Sequence, residues 1–299
     1  MEPRDYGPFP YVPIRHRPKI VWPREAQLAV WIIPNIEFFS LKDALSGHPF
    51  EGKGPVPSVR SWAQRDYGNR VGIWRIMDVL TKHGIRASPT VNSDICEYHP
   101  QIIEEAVKLG WELVGHNKTN SQRLNAVPAE QEREIIRNAL AILQRASGKR
   151  PVGWLGPGLT QTFDTPELLV EAGVKYIGDW VYDDEPTVIR TAKGPLVTLP
   201  YTVEINDITM MIVQHHESEH LLRRAKDQFD RLYDEGKDRP KIMALAIHPY
   251  ISGQPHRIKY LEQIYDYVSR FDGVLHWNGA EILDWYQGVA GKKLGVAAE

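Results

Sequence analysis

The stretch Lys241-Ile-Met-Ala-Leu-Ala-Ile-His248-Pro-Tyr250 holds an unbroken apolar run that stops at a histidine and a proline. A short run bounded so sharply reads as a strand buried on both faces, the kind that builds a parallel sheet. His248 then stands at its carboxyl end. Taken alone, a core imidazole satisfied by a carbonyl and an imidazole delivered to chemistry are equally good readings. Two further runs favour chemistry: Trp111-Glu-Leu-Val-Gly-His116 ends the same way, and residues 28–33 lead into Asn35 and Glu37. Three strands that each end in a polar, proton-handling group predict one pocket at their carboxyl ends.

Outward from these runs, strands and helices alternate. Ile73, Met77 and Leu80 recur at helical spacing up to Gly84, and a strand follows over 87–91. Helices are predicted over 100–109, 129–144 and 166–172, and strands over 111–115, 153–155 and 176–180. Beyond Pro186 come strands over 197–202 and 208–213, a charged helix to about Glu235 and the His248 strand. A helix over 258–270, a strand over 273–277 and a helix over 280–286 complete the pattern. This order predicts an α/β fold, a (β/α) barrel or a doubly wound sheet. One domain over 28–287 is the simplest division. Residues 1–27, with Pro3, Pro8, Pro10, Pro13, Pro18 and Pro23, form an arm that wraps the domain or a partner subunit, so a homo-oligomer is expected. Residues 288–299 are a tail, and the loop 48–57 is long enough to be functional.

Composition narrows the function. Thirty-six basic against thirty-eight acidic residues give a net charge of -2, which points away from nucleic acid and anionic membrane and towards a small-molecule partner. Cys96 is the sole cysteine, which excludes an intramolecular disulfide and a thiolate metal cluster. The segment after Met1 has no apolar signal core and no 18-residue apolar stretch occurs, so a cytoplasmic protein is expected.

Glu37, His116 and His248 are the candidate catalytic set, since a carboxylate and an imidazole can divide base and acid work. Asn120 could orient a substrate or serve the turn after His116, two readings of equal weight. Asn35, Arg70, Trp154, Tyr201 and Asn206 are candidate substrate contacts. Arg65 and Arg70 flank Tyr67-Gly68, and a guanidinium aimed into the pocket would suit a substrate carbonyl or carboxylate. His216-Glu217-Ser-Glu219-His220 fits the H-E-x-x-H pattern of zinc proteases, an alternative function, but it sits at a helix start, where such proteases place the second histidine mid-helix and need a third ligand downstream, which makes it mainly a chance match.

The runs Tyr67-Gly-Asn-Arg70-Val-Gly-Ile-Trp74-Arg75, Leu109-Gly-Trp-Glu-Leu-Val-Gly-His116, Pro200-Tyr201-Thr-Val-Glu-Ile-Asn206-Asp207 and His248-Pro-Tyr-Ile-Ser-Gly-Gln-Pro255 together resemble the polysaccharide deacetylase superfamily. Within it they are most similar to the bacterial allantoinase-analogue and cyclic imide hydrolase branch. The resemblance implies a distorted (β/α) barrel of about seven parallel strands and a hydrolase of non-peptide carbon–nitrogen bonds. It places Glu37 at the base position, Phe38 at the metal-aspartate position, His116 at the first histidine ligand and Asn120 at the second. Phenylalanine cannot coordinate and asparagine is a poor zinc ligand, so no cofactor is expected at the inherited site. Should a divalent metal such as zinc bind, Glu37, His116 and His248 are its ligands. The expected substrate is a small cyclic amide, imide or ureide. The alternatives are a metal-dependent N-deacetylase with a rebuilt site and an inactive small-molecule-binding relative. The branch's acidic pair corresponds to Asp183-Asp184, read either as a support for Arg70 or His248 or as a solvated turn.

Overall fold

The computed structural model describes residues 6–45 and 54–293, with the side chains of 290–293 left aside; the greater part of the expected loop 48–57 lies outside the described residues. Nine strands form one sheet: β1 Leu28–Ile36, β2 Thr90–Val91, β3 Val114–Gly115, β4 Gly153–Trp154, β5 Tyr176–Ile177, β6 Thr187–Thr191, β7 Gly194–Thr198, β8 Lys241–Ile247 and β9 Val274–His276. Their order is β6-β7-β5-β4-β3-β2-β1-β8, with β9 lying beside the first half of β1. Every pairing is parallel except the β6–β7 hairpin, so seven parallel strands follow one another along the path and β9 is an eighth. Backbone bonds from Ala246 to Ile205 and from Ile242 to Asp184 tie the β8 edge to the chain around β7.

Helices cover the outside: α1 Val59–Tyr67, α2 Ile73–Lys82, α3 Ile95–Tyr98, α4 Pro100–Lys108, α5 Ala129–Ser147, α6 Thr165–Glu171, α7 Glu219–Gly236, α8 Pro249–Ser252, α9 Ile258–Val268 and α10 Gly279–Lys293. Strand parity separates two cores. Leu28, Val30 and Ile32 join Met243, Leu245 and Ile247 against the helices, whereas Ala29, Trp31 and Ile33 join Ile242, Ala244 and Ala246 inside the sheet. The interior is filled: the cavity among Trp31, Ile33, Thr90, Tyr176 and Tyr201 measures about 10 Å³, room for one water at most. The same parity carries Glu37 and His248 to the inner side at the carboxyl edge.

Several elements differ from expectation. Residues 208–213 form a π-helical turn and not a strand. The helix read from Asn69 begins at Val59 and passes through a π turn at Gly68–Gly72 before α2. The last helix runs through Lys293, so it takes in the first half of the expected tail, and 294–299 lie outside the described residues. The arm lies along its own domain: Trp22 stacks on Trp285 with centroids 3.8 Å apart, and Arg239 donates to the carbonyls of Arg17 and Pro18.

Candidate active site

Glu37, His116 and His248 leave the ends of β1, β3 and β8, and the parallel sheet brings them together across more than two hundred residues of chain. His248 Nε2 lies 3.6 Å and His116 Nε2 4.0 Å from Glu37 Oε1. All three are buried, retaining 8%, 2% and 5% of their surface for Glu37, His116 and His248. Burial pushes the Glu37 carboxyl above its ordinary range, opposed by His248 and by the guanidiniums of Arg65 and Arg123.

His248 is fixed from behind. Its Nδ1 meets Asp207 Oδ1 at 2.7 Å, and its backbone N–H donates to Asp207 Oδ2 at 2.8 Å. Ser252 Oγ donates to the same oxygen at 2.6 Å. Burial lowers the His248 pKa, but Asp207 and Glu37 together outweigh it and the ring titrates above its ordinary value. Nδ1–H therefore points at Asp207, and Nε2 faces Glu37 with a proton it can release.

His116 is opposite in character. Its Nδ1 makes a short hydrogen bond to the Leu155 carbonyl, which can only accept, so Nδ1 carries the proton. Burial pulls the ring down to about 4, against the opposing influence of the Leu155 carbonyl, and it is neutral at pH 7. Nε2 is then a bare lone pair. His116 Nε2, Glu37 Oε2 and Asn120 Oδ1 are all buried; the Asn120 side chain acts on the His116 ring, and Glu37 Oε2 has no hydrogen-bond partner. An acceptor set of this kind calls for a donor-rich ligand or a cation.

Asparagines hold the edge in register. Asn92 accepts from the Phe38 N–H at 2.9 Å and donates to the His116 carbonyl, Asn69 donates to the Glu37 carbonyl at 3.0 Å, and the Asn120 N–H donates to the Phe38 carbonyl at 2.9 Å. The metal set that the resemblance implies does not fit here. The Phe38 ring is stacked on Tyr98 at 4.7 Å, and position 120 offers an amide, so one imidazole, His116, remains of the three ligands.

Other expected contacts lie elsewhere. Arg70 is at the surface, its side chain 68% exposed and paired with Asp66; Arg65 acts on Glu37 instead. Trp154 is fully buried in the outer core with Ile136 and Leu140, because strand parity turns it away from the interior-facing Leu155. Asn35, Tyr201 and Asn206 bond to one another inside the sheet, and Asn35 also accepts from Thr90 Oγ at 2.9 Å, so their polar atoms serve the fold. The acidic turn supports neither Arg70 nor His248: Asp183 pairs with Arg17 at 2.5 Å and Glu185 with Arg239. Asp207, whose neighbour Asn206 drew the attention, does that work for His248. His216 and His220 sit with rings 4.9 Å apart, and His220 shares an open face of α7 with Arg223 and Lys226. Among the described residues no third ligand joins them.

Residues 62–177 match the polysaccharide deacetylase family model. A Schizosaccharomyces pombe protein described as a candidate polysaccharide deacetylase is 27% identical over 293 residues, 85% of this chain and 88% of its own length. The crystal structure of a probable polysaccharide deacetylase from Pseudomonas aeruginosa PAO1 superposes with a TM-score of 0.84 at 26% identity, covering 91% of this chain and 95% of that one. That of PuuE allantoinase superposes with a TM-score of 0.82 at 26% identity, covering 91% and 94%.

Proposed function

The chain belongs to the polysaccharide deacetylase superfamily, whose deacetylase and allantoinase members are carbon–nitrogen hydrolases, and from that premise we propose that it opens a small cyclic imide, amide or ureide by acid–base attack of water. The observation that carries the reading is the contrast between two imidazoles flanking one carboxylate. Glu37 takes a proton from the attacking water, and the His248 Nε2–H protonates the departing nitrogen, held in line by Asp207. A separation of 4.0 Å between Glu37 Oε1 and His116 Nε2 suits one water that donates to both. His116 cannot donate to the developing oxyanion, because its Nε2 carries no proton. The Asn120 amide is left as the side-chain donor for that oxygen.

A ring that presents its own N–H groups satisfies the buried acceptors, which favours a ureide or imide over a plain acetamide. Ring strain and a tethered leaving group also lower the demand for a Lewis acid. A second reading draws on the same convergence: Glu37, His116 and His248 as a rebuilt zinc set in an N-deacetylase. Among the described residues no helix is long and apolar enough to cross a membrane, and we assign the chain to the cytoplasm with a small-molecule substrate.

The test is ring opening of allantoin, hydantoin, succinimide and glutarimide, with metal content measured on the same sample. Glu37→Gln is expected to cut kcat by about 10³ with the fold intact. Turnover indifferent to that substitution removes Glu37 from its role. Stoichiometric zinc with turnover of N-acetyl sugars alone transfers the assignment to the second reading.

A further inference from the structure

The Leu155–Gly156 peptide unit lies between two titratable side chains. Its carbonyl accepts the His116 Nδ1–H, and its N–H donates to Asp179 Oδ1 at 2.7 Å. A peptide is planar and conjugated, so a strong acceptor on its N–H adds negative charge to its oxygen, and hydrogen bonds in such a chain reinforce one another. Asp179 follows β5 as Glu37 follows β1, at the same edge of the sheet. Its Oδ2 is buried without a partner, and burial pushes the acid up to about 7. Gly156 makes the approach possible: a Cβ there would lie 2.6 Å from the Thr160 carbonyl oxygen and 3.1 Å from Asp179 Oδ2. Asp179, Glu37 and Asp207 all act on the buried Tyr201 hydroxyl.

We propose that Asp179 is a positioning residue for His116, acting through the Leu155–Gly156 peptide to hold the imidazole as its Nδ1–H tautomer. Nε2 is thereby kept an acceptor, aimed at the attacking water. The inference rests on the water-holding role given to His116 above. Which neutral tautomer an imidazole adopts is set by the partner at its other nitrogen, and the charge behind the Leu155 carbonyl decides how strong that partner is. Direct contact between Asp179 and the ring is not required. The peptide carries the effect, and the same plane fixes the ring's orientation.

The experiment is histidine ¹⁵N NMR on the full-length protein, with catalysis measured in parallel. In the unmodified protein His116 should show a protonated Nδ1 and a bare Nε2. Asp179→Asn keeps an oxygen for the Gly156 N–H and removes the charge. It should retain the fold, shift the His116 Nδ1 resonance as the hydrogen bond to the Leu155 carbonyl weakens, and lower kcat for ring opening by about 10-fold while KM stays within about 2-fold. A measurement without any variant guards against misfolding: the His116 Nδ1 shift should move with the midpoint of the Asp179 carboxyl ¹³C signal. An unchanged Nδ1 resonance in Asp179→Asn, or a Nδ1 shift flat across the Asp179 titration, overturns the proposal. If the Nδ1 resonance responds but neither protein opens any ring, the coupling is upheld and it is the hydrolase assignment that fails.

Discussion

Glu37 and His248 titrate upward for different reasons, and the reaction needs one deprotonated and the other protonated. Burial raises Glu37; for His248 burial works the other way and is outweighed by Asp207 and Glu37. The acid limb of kcat/KM should therefore lie above pH 4.5, where a free glutamate would put it, and the alkaline limb above pH 6.5, where a free histidine would. The two limbs belong to the pair, since each charge acts on the other. Asp207→Asn should lower kcat by about 10²-fold and move the alkaline limb to lower pH, because the carboxylate that favours the imidazolium is gone. A pH profile that keeps its alkaline limb in that variant would remove Asp207 from the His248 pair. Asp207 was within reach of sequence reasoning, lying next to Asn206. Yet an aspartate followed by an apolar run carries no periodic signal, and only the fold brings it behind His248.

The Gly68–Gly72 turn shows how an element, and not a residue, sets the site. Its Asn69 grips the Glu37 carbonyl, while Gly68 and Gly72 press on the chain just after His248: a Cβ at Gly68 would lie 2.6 Å from the Tyr250 nitrogen, and one at Gly72 would overlap the Pro249 carbonyl. One π turn thus fixes the spacing between the chain at Glu37, beyond β1, and the turn that follows His248. Gly72→Ala should destabilise the protein by roughly 2 kcal/mol or more and weaken catalysis beyond its loss of folded protein, since α8 must shift and carry His248 with it. Equal activity per folded molecule, with stability read by urea unfolding, would show that the spacing is not needed. The strands ending at His116 and His248 were legible because an apolar run stopped at a polar residue. Residues 208–213 were not, as a six-residue apolar run fits a buried strand and a buried helical turn alike. Helix α1 was missed for the opposite reason: among its residues only Asp66 is buried, so no apolar stripe marks it.

Across the whole molecule the groups gathered at the sheet edge oppose one another in their effect on stability. His116 titrates at about 4 in the folded protein against an ordinary 6.5, so the unfolded chain binds the extra proton between those values and stability rises with pH there. Asp179 titrates at about 7 against an ordinary 3.8, so the folded chain holds the extra proton and stability falls as pH climbs through that window. The slopes have opposite sign and overlap from about pH 4 to 6.5, so these two groups offset each other there. Asp179→Asn removes one of them. Relative to the unmodified protein, it should gain on the order of 2 kcal/mol between pH 5 and pH 8. At this chain length that corresponds to a Tm difference widening by roughly 4 °C. The comparison is of slopes, so any pH-independent cost of the substitution drops out. A variant more stable at pH 8 yet slower in ring opening is the signature of a charge retained for chemistry at a cost to the fold. Parallel Tm profiles for the two proteins across pH 5 to 8 would show that Asp179 carries no such buried charge.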